Sequence, residues 1–291
     1  MLCHLCPQPW QSPATGASRL STGDTLVILG GTYTLQESTT DTIRPPSGTL
    51  YAWTAIRGET GNRPILRGRF ALPAAVDISG RSYLRIENLE ITSLISASFS
   101  GGLLEGIEAG GSAGGAGDIH HILLKDLVIH YVEEAGINFS GDLTDVELRN
   151  VSVDHTGMNA IGAPASYGRG GWRRVLLDHC YLGYAGHFYY GRVHDDVSLY
   201  ERPDGFRIES STGPVEIAYS TIEHNFGDGL DSKARETYIH HCIVANNTSD
   251  GIKLGAGNSR VDNTLIYGRG DGDTTPTTWS PVVISCTATN D

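Results

Sequence analysis

From Ser82 onward, apolar positions alternate with polar ones in short runs, and the runs recur. Leu84-x-Ile86-x-Asn88-x-Glu90-Ile91 returns as Ile122-x-Leu124-x-Asp126-x-Val128-Ile129. It returns again as Val146-x-Leu148-x-Asn150-x-Ser152-Val153 and as Val175-x-Leu177-x-His179-x-Tyr181-Leu182. Three further copies come after these: Val215-x-Ile217-x-Tyr219, then Tyr238-x-His240 with Cys242 and Ile243, then Val261-x-Asn263-x-Leu265. Alternation with period two is the pattern of a strand with one buried face. The repeat anchors at positions 88, 126, 150, 179, 219, 241 and 263 are separated by 38, 24, 29, 40, 22 and 22 residues. Intervals of this size belong to solenoids, in which each repeat is one turn of a spiral. Asn and Asp at the anchors (Asn88, Asp126, Asn150, Asn263) suit a corner, where their side chains bond one another or the turning backbone.

About ten residues beyond most anchors comes a strand carrying Gly136, Ala160, Gly229 or Gly251. Alternation there puts Ile137, Ile161, Phe206, Leu230 and Ile252 inward and Asn138, Gly162, Arg207, Asp231 and Lys253 outward. The pattern predicts an all-β chain, a right-handed parallel β-helix of roughly nine or ten coils. Residues 1–22, rich in Pro, Ser and Thr, read as an irregular segment, and 23–291 as one β-helix domain. The longer intervals hold insertions. The glycine-rich Gly101–Gly117 reads as a flexible loop. The interval from Leu182 to Asp204 holds about 16 residues more than a 24-residue coil and can overhang the strand that begins near Asp204. Solenoids need capped ends, and Asn290-Asp291 offers none, so the chain is expected to continue at one or both ends.

Composition narrows the function. Of 291 residues, 39% are hydrophobic, 19% are charged and 37 are glycine, too little charge for disorder and too much glycine for a helical bundle. The net charge of −12 argues against nucleic acid as a partner. No apolar run reaches the length of a membrane span. The first nine residues lack the basic and apolar regions of a signal peptide. Cys3 and Cys6 form an isolated C-x-x-C, read as a surface disulfide or two idle thiols rather than a zinc site. Cys180 and Cys242 each follow a histidine at the same point of the repeat and read as small core residues. A monomer is expected.

Three Asp-Gly pairs lie 24 and 22 residues apart, at Asp204, Asp228 and Asp250. Two residues beyond each glycine stand Arg207, Asp231 and Lys253. If each repeat is one coil, members of a column lie about 4.8 Å apart. Asp-Gly pairs make turns, but Asp231 falls beyond the turn, on the strand face. Asp204, Asp228 and Asp231 then converge from adjacent coils, and oxygen ligands at that density suit Ca²⁺. Lys253, one coil on, reads either as a solvated partner of Asp231 or as a general base whose pKa a neighbouring cation lowers. Arg207 suits a substrate carboxylate. In the long insertion, Arg192, His194 and Tyr200 are candidates for substrate contact, together with His187, Tyr189 and Tyr190 beside them. The paired histidines His120-His121 and His240-His241, and His179, read as structural.

The order and spacing of these motifs resemble the pectate lyases of polysaccharide lyase family nine, which are right-handed parallel β-helices. Those enzymes carry an Asp-Gly-Phe strand, then His-x-Asn with Asp-Asp-Gly-x-Asp, then Gly-Phe-Lys-Leu-Gly. This chain has Asp204-Gly205-Phe206, then His224-Asn225-Phe226-Gly227-Asp228-Gly229-Leu230-Asp231, then Gly251-Ile252-Lys253-Leu254-Gly255. The resemblance covers about 55 residues. It implies Ca²⁺ held by Asp204, Asp228 and Asp231, with Lys253 as base in a β-elimination on an acidic polysaccharide such as pectate. It also implies a secreted or cell-surface protein. Gly227 stands where the family has an aspartate. Two other readings stay open: a β-helical glycoside hydrolase with Asp204 and Asp228 as acid and base, and a non-catalytic carbohydrate-binding or adhesive β-helix.

Overall fold

A computed structural model describes residues 12–37, 40–94, 101–110, 119–163, 171–187, 202–270 and 280–284. The chain winds as a parallel β-helix whose coils present three sheet faces. The first face has nine strands among the described residues, beginning with Thr25–Ile28, Thr54–Gly58 and Ser82–Glu87 and ending with Thr237–His240 and Arg260–Asp262. The second runs from Thr32–Leu35 to Leu265–Arg269. Ile119–His130 and Leu143–Asp154 pass unbroken from the first face to the second, which joins the two into one sheet. The third face carries eight strands among the described residues. They are Leu72–Asp77, Leu103–Ala109, Ile137–Phe139, Ile161–Ala163, Phe206–Ser211, Leu230–Ala234, Ile252–Leu254 and Val282–Ile284. Every named strand pairing is parallel, each strand lying beside its equivalent in the next coil.

The corners explain the repeat anchors. All seven anchor residues take left-handed backbone, with φ between 44° and 55°. Asn and Asp tolerate that region through local hydrogen bonds. Asn150 donates to Asp126 Oδ1 at 2.7 Å, a corner-to-corner bond between adjacent coils. Where the anchors are aromatic they stack instead: His179 on Tyr219 at 5.2 Å and Tyr219 on His241 at 4.9 Å. A second corner column stacks His155, Tyr184 and His224, with interplanar angles of 12° and 8°. A third includes Tyr83 on His121 at 4.6 Å. Left-handed residues at these bulky positions cost free energy, and the coil-to-coil stacks offset it.

The core is a set of apolar ladders. Ile137, Ile161, Phe206, Leu230 and Ile252 are each fully buried and follow one another in register across the third face. Burial of each such side chain contributes about 1.5–3 kcal/mol, so the ladders hold adjacent coils in register. Cys180 and Cys242 are free thiols inside this core, and burial pushes the Cys180 thiol up to about 12.

Two expectations are corrected. The segment before residue 23 is not wholly irregular: Pro13–Ala17 is a short helix. Its small residues let it lie close, so that Ala14 and Ala17 join the core cluster. Gly101–Gly117 is not simply a loop, because Leu103–Ala109 is a third-face strand paired with Leu72–Asp77 and Ile137–Phe139. Its glycine content serves packing: a Cβ on Gly106 would stand 2.4 Å from the Gly136 carbonyl oxygen. Leu103 and Ile107 supply the inward anchors. Residues 111–118 lie outside the described residues, as do 188–201, which hold Arg192, His194, Tyr200, Tyr189 and Tyr190.

Candidate functional site

The outward positions of the third face form one stripe. Asp77, Glu108, Asn138, Gly162, Arg207, Asp231, Lys253 and Val283 succeed one another in register. The column predicted from the Asp-Gly spacing is therefore real: Arg207 pairs with Asp231, and Asp231 with Lys253.

The Asp-Gly pairs form a second column with its own chemistry. Asp228 donates its backbone N–H to Asp204 Oδ1 at 2.7 Å. Asp250 donates to Asp228 Oδ1 at 2.9 Å, and Ser280 to Asp250 Oδ1 at 2.8 Å. Asn159 begins the ladder by accepting the Asp204 N–H at 2.7 Å. Each carboxylate thus uses one oxygen to hold the next coil, as turn-making aspartates do. Two of them, Asp204 and Asp228, also converge with Asp231. One oxygen from each of Asp204, Asp228 and Asp231 lies within 4.8 Å of the other two. The three residues are only 6%, 7% and 4% exposed.

Asp231 is placed differently from the turn aspartates. Its Oδ2 accepts from Lys233 Nζ at 3.3 Å and lies 3.4 Å from Lys253 Nζ. Its Oδ1 is buried and has no hydrogen-bond partner among the described residues. An orphaned, buried carboxylate oxygen costs about 1–3 kcal/mol or more, and a hard cation is the natural partner for it. Lys253 Nζ also lies 3.4 Å from Asp228 Oδ2.

Charge balance leads to the same place. Among the described residues, Asp204, Asp228, Asp231, Asp250 and Glu209 face Arg207, Lys233 and Lys253, an excess of acidic groups of the kind that protons or a divalent ion would offset. Burial first, then the Asp228 and Asp231 charges, raise the Asp204 carboxyl well above the usual carboxylate range. Burial likewise raises Asp228 and Asp250. Burial works to lower the Lys253 ammonium, but Asp228 and Asp231 outweigh it and raise it. Lys253 is thus placed as a counter-ion to Asp228 and Asp231.

Gly227 is accounted for by the same packing. A Cβ there would stand 2.3 Å from Asp204 Oδ1, 2.6 Å from the Arg202 carbonyl oxygen and 2.7 Å from that of Pro203. The backbone of the preceding coil therefore fills the space that an aspartate at 227 would occupy. His224 and Asn225 serve the scaffold. His224 stacks on Tyr184, and Asn225, fully buried, accepts from the Ala185 N–H at 3.0 Å and donates to Asn247 Oδ1 at 2.9 Å.

Sequence reasoning missed Lys233, Glu209, Asn159 and the acidic end of the stripe. Lys233 and Glu209 lie two residues beyond Asp231 and Arg207, the next outward positions on their strands, so the period-two pattern contained them. Asn159-Ala160-Ile161-Gly162 aligns with the Asp-Gly strands once Ala is allowed for Gly. Glu105-Gly106-Ile107-Glu108 repeats the acid-Gly-apolar-acid order of Asp228–Asp231. Glu105, bonded to the Asn138 amide, is pushed up to about 8 by burial.

No protein-family model matches the chain, and no curated protein matches it. Among solved structures it is similar to pectate lyase Pel9A, with 14% identity, 91% of this chain and 75% of that one covered, and a TM-score of 0.51. It is similar also to an alginate lyase from Paenibacillus sp. str. FPU-7, with 16% identity, 93% and 96% covered, and a TM-score of 0.60. A third likeness is to the GH136 lacto-N-biosidase from Eubacterium ramulus, with 13% identity, 96% and 65% covered, and a TM-score of 0.53. The fold is shared with polysaccharide-acting β-helices. Identities this low establish the architecture and not membership of a family.

Proposed function

We propose that the protein is a polysaccharide lyase that cleaves a uronate polymer by calcium-assisted β-elimination, with Lys253 as the base. The observation that carries this reading is the trio Asp204, Asp228 and Asp231, with Asp231 Oδ1 orphaned and Lys253 one coil away on the same stripe. These residues fit a hard divalent cation. Asp204 and Asp228 would offer the oxygens their backbone ladder leaves, and Asp231 both of its own. A bound calcium ion would supply charge that acidifies the C5 proton beside a substrate carboxylate.

Lys253 takes that proton, the C5–H electron pair forms the C4–C5 double bond, and the C4–O4 bond breaks with O4 as leaving group. The base must first be neutral. With Asp204, Asp228 and Asp231 engaged elsewhere, the burial of Lys253, which favours the free amine, is still opposed by Asp250. Arg207 and Lys233 offset part of the acidic charge beside the reacting unit, which an acidic substrate would otherwise meet in full on a chain of net charge −12. A polymer substrate of this kind places the protein outside the cell or at its surface.

The hydrolase reading fits less well. Asp204 and Asp228 each commit an oxygen to the next coil's backbone, and both residues are buried, Asp204 at 6% exposure. The test is a panel of pectate, alginate and related uronate polymers assayed with Ca²⁺ and with chelator, reading the absorbance of the unsaturated product. Product with Ca²⁺ and none with chelator is expected. No product on any of them rejects the lyase reading, and reducing ends released without unsaturation would indicate hydrolysis.

A further inference from the structure

Arg207 and Lys233 do not stand open beside the acid trio. Arg207 Nε and Nη2 donate to Glu209 Oε1 at 3.3 and 3.1 Å, and Lys233 Nζ donates to the same oxygen at 2.9 Å. Two cations on adjacent strands thus converge on one carboxylate oxygen. That is the construction of a carboxylate-binding notch, and the protein's own Glu209 is in it. The notch is reachable from solvent: the side chains of Arg207, Glu209 and Lys233 are 33%, 27% and 30% exposed. It is also fixed in place. A Cβ on Gly255, in the next coil, would stand 2.9 Å from Lys233 Cγ, so that glycine leaves the room through which the lysine stem passes. Arg207 is the register partner of Asp231, and Asp231 that of Lys253. The notch therefore lies within about one or two coil spacings, roughly 5–10 Å, of the proposed base.

We infer that Glu209 is a specificity-determining residue: it closes this two-cation notch to a substrate carboxylate and directs a neutral or esterified sugar unit there. The inference rests on the reading of the stripe as a site for a uronate polymer. Glu209 is tethered two residues from Arg207, so it holds the notch without the translational entropy that an incoming carboxylate loses. A substrate carboxylate that displaced it would leave two like charges side by side. A hydroxyl or a methyl ester carries no such penalty. The structure thus selects for polymers in which charged and uncharged units alternate or mix over a fully charged chain.

The test compares wild type with Glu209→Gln, which keeps the size of the side chain and removes its charge. Glu209→Ser is a second variant in case the amide rearranges the cations, and thermal melts establish that both fold. The probes are fully de-esterified and highly methyl-esterified polygalacturonate, with binding read by calorimetry in chelator to prevent turnover. Opening the notch should tighten binding of the charged polymer about three- to tenfold and steepen its salt dependence, with the esterified polymer little changed. Adding Lys233→Met to Glu209→Gln should cancel the gain. If both variants bind the de-esterified polymer no more tightly than wild type, or if the gain survives Lys233→Met, the inference is overturned. The lyase assay is read separately. A wild type that yields unsaturated product while the binding ratio stays fixed refutes the notch alone. A changed ratio without product refutes the lyase reading alone.

Discussion

Replacing Lys253 separates its two proposed roles, counter-ion and base. In the metal-free protein its ammonium lies 3.4 Å from both Asp228 Oδ2 and Asp231 Oδ2. At an effective dielectric of about 20, each contact has a gross attraction of roughly 4–5 kcal/mol. The lysine side chain is 35% exposed. Screening, side-chain entropy and its own desolvation cut the net effect to about 1–3 kcal/mol. Lys253→Ala should therefore lower stability in chelator by about 1–3 kcal/mol. It should also raise calcium affinity, because the ammonium and the metal compete for Asp228 and Asp231. Relief of about 1–2 kcal/mol corresponds to about 5- to 30-fold.

Turnover should fall by about 10²–10⁴ or more, the usual range for a general base. Lys253→Arg keeps the charge, so its melt in chelator should stay near that of wild type. It should be nearly inactive all the same, since guanidinium does not deprotonate at usable pH. Denaturant unfolding in chelator, calcium calorimetry and unsaturated-product absorbance read the three effects independently. Wild-type activity should rise with pH, because the neutral amine is the active form. Substantial lyase activity in Lys253→Arg would make Lys253 a binding residue and place the base elsewhere. An Ala variant with unchanged melt and unchanged calcium affinity would mean that the ammonium does not engage these carboxylates.

Three further outcomes are expected. Asp231→Asn should weaken calcium binding at least about tenfold by calorimetry, since it removes the carboxylate with the orphaned oxygen; equal affinity in the two proteins would move the metal away from this trio. Gly227→Ala should destabilise by about 1–3 kcal/mol in denaturant titrations, and Gly227→Asp should not improve calcium binding, because the 2.3 Å approach to Asp204 Oδ1 disturbs a ligand already present. The raised Glu105 pKa of about 8 means that the folded state keeps a proton which the unfolded state releases above about 4.5. Stability from this group is complete below that value and is lost as pH rises towards 8. Between pH 5 and pH 8, Glu105→Gln should flatten the decline by up to about 3–4 kcal/mol, and an unchanged difference between the two pH values in denaturant titrations would show that Glu105 is ionised throughout.

The sequence by itself determined the coil. Period-two alternation put Ile137, Ile161, Phe206, Leu230 and Ile252 on the inside, and all are fully buried. The Asn and Asp anchors marked a corner, because few residue types tolerate left-handed backbone, and all seven anchors have it. The similar spacing of the Asp-Gly pairs, 24 and 22 residues, placed Arg207, Asp231 and Lys253 in one column, because parallel coils of similar length stack in register. What the sequence could not carry were features set by contacts between coils. The Pro13–Ala17 helix forms against a core surface that its own five residues do not encode. Leu103–Ala109 is a strand because its neighbours on both sides supply the ladder, whatever its glycine content suggests. That Asp204 and Asp228 each accept the next coil's backbone N–H and also gather with Asp231 depends on side-chain direction across 22 to 24 residues of chain. The convergence of Arg207 and Lys233 on Glu209 likewise exists only once two coils are laid side by side, since tertiary stacking alone decides which outward neighbours share a charge.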